Sequence, residues 1–251
     1  MNHVKNQVVI QARMGSSRLP GKTMLDLGGR PVIYHVVSRC RAALAVDRVV
    51  VAIPDLPIDD RLEQWCKDND VYCVRGSAED VLSRYVKALD AFPCTTLVRI
   101  TADCPLVDPG MLDSLLSLHE ALGNDYTSNV SPPNFPKGLD IEVVDADVLR
   151  RVGSIAEQKS HREHVTLYVR EKTGEFKMSG MSYGLNMPAV RLTLDNNDDY
   201  LALQKIFALL ASERPLCSMY EVLRLLQQHP EILAINSAGV PFELPAGFLK
   251  S

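Results

Sequence analysis

The sequence predicts an α/β fold with a mostly parallel sheet and helices on both faces. Three observations carry this. Short apolar, β-branched runs alternate with helix-patterned segments through the first half of the 251 residues. The helical segments open on recognisable caps. The apolar, β-branched run that opens the chain at Val8 reads as a buried strand.

In order, Val8 to Ala12 reads as a strand and Pro31 to Leu44 as a helix with Pro in its first turn. Arg48 to Ile53 is a strand, and Ile58 to Asp68 a helix with Leu62, Trp65 and Cys66 on one face. Val71 to Val74 is a strand. Ser77 to Asp80 has capping-box spacing and predicts a helix start at Ser77. Thr96 to Ile100 is a strand, and Asp108-Pro109 a cap with Pro at the first helical position. The second half is less regular. Strands are expected at Asp125 to Val130, Leu139 to Val144, Phe176 to Met181 and Val190 to Leu194. Helices are expected at Ala146 to Ile155, His161 to Glu171, Asn197 to Ala211 and Ser218 to Gln228, the last with Ser218 and Glu221 at capping-box spacing. Ser131 to Gly138 is a Pro-rich loop or lid. Pro230 to Ser251 carries no clear pattern.

Composition bounds the function. The chain is 46% hydrophobic with net charge −4, which suits one globular domain and argues against nucleic-acid binding. No apolar run is long enough for a membrane span. The N-terminus lacks a basic region followed by an apolar core, so a cytoplasmic protein is expected. The six cysteines form no C-x-x-C pair and are expected as reduced, mostly buried thiols.

The loop after the first strand is the richest in chemistry. It reads Gln11-Ala12-Arg13-Met14-Gly15-Ser16-Ser17-Arg18-Leu19-Pro20-Gly21-Lys22. Such a loop can turn backbone N–H groups toward phosphate oxygens while Arg and Lys supply charge. A basic surface loop after a core strand accounts for the same residues. It is neither a Walker P-loop nor a G-x-G-x-x-G fingerprint. In a parallel sheet, ligands bind beyond the carboxyl ends of strands. That rule would bring this loop together with Arg75-Gly76-Ser77 and Thr101-Ala102-Asp103. Asp103 and Asp195 each follow an apolar strand and are candidates to share a Mg²⁺, which commonly takes one or two carboxylates plus phosphates. Singly, each also reads as a turn or cap residue, and Asn197 would cap the helix after Asp195 equally well. Lys137-Gly138-Leu139-Asp140-Ile141-Glu142 alternates as a half-buried strand does. Ser160 and Glu163 fit a capping box, and His35 and His119 fit helix packing. No triad order, G-x-S-x-G elbow or zinc cluster is present.

Ala12-Arg13 followed by Ser17-Arg18-Leu19-Pro20-Gly21-Lys22, with Gly28-Gly29-Arg30-Pro31-Val32-Ile33 after it, resembles the cytidylyltransferases that activate acidic sugars. These are the 3-deoxy-manno-octulosonate and acylneuraminate types, and the spore-coat polysaccharide group is nearest. The resemblance runs from about Val8 to about Tyr200. It implies a three-layer α/β/α nucleotide-diphospho-sugar transferase (Rossmann-like) fold with a mixed, mostly parallel sheet. It implies one nucleotidyltransferase domain over 1–251, with 125–181 as a sugar-binding and dimerisation subregion. Ala12, Arg13, Gly15, Ser17, Arg18, Lys22 and Thr101 would hold the triphosphate of CTP, and Arg75 and Ser77 the base. Asp103 and Asp195 would hold Mg²⁺. Arg13, Lys22 and the two aspartates would form the catalytic set, and Arg84 a structural or pocket cation. Lys137, Gly138, Asp140, Glu142, Glu163 and His164 would meet an acidic sugar. Cys104 and Thr193 stand where relatives carry further acids, so a second metal is not implied. The expected activity is transfer of CMP from CTP to a nonulosonic or 3-deoxy-octulosonic acid type of sugar, for polysaccharide or glycan synthesis, by a homodimer. Two alternatives remain. One is a nucleotidyltransferase using another NTP on a sugar 1-phosphate or phosphorylated alcohol. The other is a catalytically silent nucleotide- or sugar-binding module.

Overall fold

The computed structural model describes residues 4–172, 174–184, 186–210 and 216–239. Seven strands form one sheet in the order β5-β4-β1-β6-β8-β7-β9. These are β1 (Asn6–Gln11), β4 (Arg48–Pro54), β5 (Tyr72–Gly76), β6 (Thr96–Thr101), β7 (Tyr126–Ser128), β8 (Glu142–Asp145) and β9 (Met178–Gly180). β2 (Asp26–Leu27) and β3 (Arg30–Pro31) make a separate hairpin. β1, β4, β5 and β6 are mutually parallel, and β8 runs antiparallel to β6 and to β7. The chain builds outward from β1 through β4 to β5, then crosses back to lay β6 on the other side of β1. That reversal is the switch point at which such sheets bind ligands.

Residues on the two faces of each central strand enter two different cores. Val8 and Ile10 of β1, with Val49, Val51 and Ile53 of β4, pack under helices α1 (Val32–Ala42), α4 (Pro109–Leu122) and α8 (Asn197–Leu210). Val9, Val50, Ala52 and Leu97 face α3 (Val81–Ala91) and α5 (Ala146–Ile155). This explains the unbroken apolar runs: both pleat faces are covered. The remaining helices are α2 (Asp60–Asp68), α6 (Lys159–Glu163), α7 (Leu167–Glu171), α9 (Met219–Gln228) and α10 (Pro230–Asn236). No helix among the described residues is long and apolar enough to cross a membrane. All six cysteines are free, and five are buried.

Several boundaries differ from the sequence reading. α3 starts at Val81, not Ser77. Asp80 is its cap and accepts from Ser83 N at 2.9 Å, while Ser77 Oγ only accepts from Asp80 N. Pro31 precedes α1 rather than lying in its first turn, because the β2–β3 hairpin holds it extended. Leu139 to Ile141 do not join β8. The Asn129 side chain takes their backbone instead, donating to Leu139 O at 2.7 Å and accepting from Ile141 N at 2.8 Å. The expected strand from Val190 to Leu194 is a single parallel bridge between Arg191 and Lys137. His161 to Glu171 divides into α6 and α7. α9 carries the expected capping box of Ser218 and Glu221. Ala211 and residues 240–251 lie outside the described residues.

Candidate active site

The loop after β1 is held from below. Met14 N donates to the buried Asp59 Oδ1 at 2.7 Å, Thr23 Oγ1 donates to Arg13 O at 3.0 Å, and Gly21 N donates to Met14 O at 3.1 Å. Gly21 sits at φ +69, a left-handed conformation that favours glycine. This turn aims Lys22 back across the strand ends. Its three ammonium donors are all engaged: Asp103 Oδ2 at 2.8 Å, Asp195 Oδ1 at 3.2 Å and Leu194 O at 2.7 Å.

Asp103 lies just past β6. Its Oδ1 accepts from Thr101 Oγ1 at 2.5 Å. Burial opposes its ionisation, yet the Lys22 charge and hydrogen bond, with the Thr101 hydroxyl, hold its carboxyl below the usual range. Asp195 reaches the same point by a different route. Leu194 N donates to Asp103 O at 2.8 Å, which ties the two segments together. Gly138 makes this approach possible. At φ +105 it lies so close to the 192–193 backbone that a Cβ would stand 2.4 Å from Leu192 C. The cap of α8 is Asn196, which accepts from Asp199 N at 2.9 Å, so neither Asn197 nor Asp195 is spent there. Asp195 is instead ringed by cations. Arg18 Nη2 lies 3.0 Å from Oδ1, while Arg191 Nη2 lies 3.3 Å and Lys137 Nζ 3.8 Å from Oδ2.

Two cavities meet at these aspartates. One, of about 260 Å³, is lined by Ala12, Arg13, Ser17 and Lys22 of the loop. The other, of about 530 Å³, is lined by Arg99, Lys137, Asp140, Glu142, His164 and Arg170. Arg18, Thr101, Asp103 and Asp195 line both. Arg13 is exposed, and its side chain makes no hydrogen bond or ion pair with a described residue, which leaves its guanidinium available to a ligand. Gly15 has open space where a Cβ would stand.

The structure does not bring every expected residue here. Arg75 turns away toward α2 and is spent on Asp55, Asp60 and Glu63, at 3.1, 2.7 and 2.8 Å. Ser77 lines neither cavity. Glu163 is exposed and lines neither, whereas its neighbour His164 does. Arg84 is buried beneath Gly76, with Nε and Nη1 unpartnered. Glu142 is saturated by protein: it accepts from Tyr126 Oη at 2.6 Å and Thr166 Oγ1 at 2.5 Å, and it pairs with Arg99. Asp140 differs from both aspartates at the seam. Burial, with the charges of Glu142 and Asp103 adding, pushes its carboxyl above the usual range.

Sequence reasoning missed Arg99 and Arg170. Both line the larger cavity, both approach Glu142, and both have a buried Nε with no acceptor. For Arg99 a signal existed: it is a charge inside the apolar strand Leu97 to Ile100.

Asp103 and Asp195 bring two carboxylates to one point, with Thr101 Oγ1 and Leu194 O beside it; these oxygens are the donor type a hard divalent ion takes and could hold one there, at the point where the Lys22 ammonium now bonds to them.

A mostly parallel sheet with a cationic loop and two acids at its switch point defines a nucleotidyltransferase-like α/β protein. The sequence pattern of the cytidylyltransferase family matches residues 7–235, and the chain belongs to that family. It is 36% identical over 230 residues to the spore coat polysaccharide biosynthesis protein SpsF of Bacillus subtilis (strain 168), covering 89% of this chain and 94% of that one. A solved cytidylyltransferase from Leptospira borgpetersenii superposes with TM-score 0.88 at 30% identity, over 96% of this chain and all of that one. The CMP:2-keto-3-deoxy-manno-octonic acid synthetase solved with CTP shares the fold, with TM-score 0.61 at 22% identity over 84% of this chain and 100% of that one.

Proposed function

We propose that this cytidylyltransferase transfers CMP from CTP to a hydroxyl of an anionic sugar and releases pyrophosphate. The observation that carries this reading is the seam: one cavity lined by the cationic loop and one large polar cavity share Arg18, Thr101, Asp103 and Asp195. A two-substrate transfer needs such an arrangement, with nucleotide on one side, acceptor on the other and the reacting phosphorus between them.

In this reading Arg13 and Arg18 neutralise the triphosphate from the loop side. The acceptor oxygen bonds to the α-phosphorus, and the bond from that phosphorus to the bridging oxygen breaks. Pyrophosphate leaves, and the hydroxyl proton goes to solvent. Lys22 keeps the two aspartates converged. Asp103 and Asp195 would hold Mg²⁺, which when bound would offset phosphate charge and lower the pKa of the hydroxyl. Arg99, Arg170 and Lys137 supply the positive charge in the acceptor cavity that favours a sugar carboxylate. Glu142 acts through Arg99, as a positioning residue. The base contact is assigned to neither Arg75 nor Ser77.

A pyrophosphate-release screen tests this. CTP, UTP, GTP and ATP are each paired with nonulosonic acids, 3-deoxy-octulosonic acid, neutral sugars and sugar 1-phosphates. Turnover with CTP and an acidic sugar alone is expected. Turnover only with a sugar 1-phosphate and another NTP would replace this reading. CTP binding with no turnover would make the chain a binding module.

A further inference from the structure

Asp59 stands at the N-cap position of α2, where an aspartate usually accepts a hydrogen bond from the first turn of its own helix. Its side chain makes no such bond. Oδ1 accepts instead from Met14 N at 2.7 Å, 45 residues back along the chain. Oδ2 is buried and receives no hydrogen bond from a described residue. The residue is 1% exposed and lines neither of the two cavities. Burial pushes its carboxyl above the usual range, and the Met14 N–H with the charges of Arg84, Arg75 and Arg13 opposes that only in part. A buried carboxylate with one oxygen unpaired weakens a fold, so its presence calls for a reason.

The reason lies in the loop after β1. The peptide that joins Arg13 to Met14 is clamped at both ends. Its carbonyl accepts from Thr23 Oγ1 at 3.0 Å, and its N–H is the group that Asp59 holds. Met14 O in turn accepts from Ser16 N at 2.9 Å and from Gly21 N at 3.1 Å. Arg13 lies before this hub, and Ser16, Ser17, Arg18 and Lys22 lie after it; all five line the smaller cavity. Releasing the N–H would free the peptide plane to turn and would redirect the residues on both sides of it.

We propose that Asp59 is a positioning residue for the nucleotide. It fixes the Arg13–Met14 peptide plane, and through that plane it sets where the Arg13 and Arg18 charges stand in the smaller cavity. The proposal rests on the reading that this cavity takes CTP.

The test is titration calorimetry of CTP with Mg²⁺ on the wild-type chain, Asp59→Leu, Asp59→Ala and Asp59→Asn, with amide hydrogen exchange over residues 12–18 measured alongside. Leu fills similar space without an acceptor. Ala removes the acceptor without adding bulk, so the test stands if the Leu variant does not fold. Both should bind CTP about tenfold or more weakly, the scale of one hydrogen bond to a charged group, and the loop should exchange faster. Asn keeps an acceptor oxygen for Met14 N and should restore both binding and slow exchange. Wild-type affinity in the Leu and Ala variants would overturn the proposal. So would an Asn variant that binds no tighter than those two, or weakened binding with loop exchange unchanged. No CTP binding by the wild-type chain would overturn the proposed function and this proposal with it.

Discussion

Lys22 Nζ lies 2.8 Å from Asp103 Oδ2 and 3.2 Å from Asp195 Oδ1, so one ammonium joins two carboxylates from opposite halves of the chain. The first comes from the strand beside β1, the second from a segment that pairs with no strand. The loop carrying Lys22 therefore organises the acids as well as lining the smaller cavity.

Arg13 and Lys22 should separate in a mutational test. The Arg13 side chain has no hydrogen-bond or ion-pair partner among the described residues, so Arg13→Ala should keep the melting temperature and lower kcat/KM for CTP. The expected loss is about ten- to a hundredfold, on the scale of a charged hydrogen bond. Lys22→Ala should lower kcat/KM at least as much and also lower the melting temperature, since it leaves two carboxylates facing each other. Steady-state kinetics with thermal melts check both. Wild-type kcat/KM in both variants would make the loop purely structural.

Gly138→Ala should disturb Asp195 without touching it. The added methyl would meet the 192–193 backbone at 2.4 Å, at a φ that only glycine adopts comfortably. A cost of about 2 kcal/mol or more follows, which is roughly 4–8 °C in melting temperature for a chain this long. Activity should fall further than stability explains. An unchanged melting curve would show that the two segments are not packed as described.

Asp140→Asn should stabilise the fold at neutral pH. Folding raises this carboxyl's pKa, so the folded chain holds the proton from about pH 3.9, the ordinary Asp value, up to the raised value. Across that window wild-type stability falls as pH rises, and the loss is complete above it. The variant removes the loss, so its advantage should be full at pH 8 and vanish near pH 3. Denaturant melts across pH measure it. Asp103 carries the opposite sign. Its lowered pKa contributes stability above the ordinary value, lost as pH falls through the lowered one.

The assembly should be a homodimer through residues 125–181. β9 is the last strand of the sheet and leaves a backbone edge unpaired among the described residues, a ready surface for a second copy. Light scattering at micromolar concentration should give twice the chain mass, and a monomer mass would contradict it.

The parallel half of the fold was legible because β1, β4 and β6 are buried on both faces and their sequences say so, and because the short apolar run of β5 packs beside them at the sheet edge. The far half was not. Its strands are three or four residues long, and side chains such as Asn129 replace the ladder that hydrophobic patterning assumes. The seam at Asp103 was legible from strand ends. The loss of Arg75 was not, since its three acidic partners come from the turn after β4 and from α2, and only folding assembles them. Asn196 rather than Asn197 caps α8 for a similar reason: either residue suits a cap, and Asp199 decides between them by bonding back.

Asp103 and Asp195 are expected to act as one unit at the meeting of the two cavities. Pyrophosphate release with CTP and the best acceptor, measured in Asp103→Asn, Asp195→Asn and the double variant, tests it most directly. Each single substitution should cost several kcal/mol of transition-state stabilisation, a rate loss of about a hundredfold or more. The double variant should be little worse than either single one, because residues acting together are not additive. Mg²⁺-dependent turnover that survives both substitutions would contradict the account.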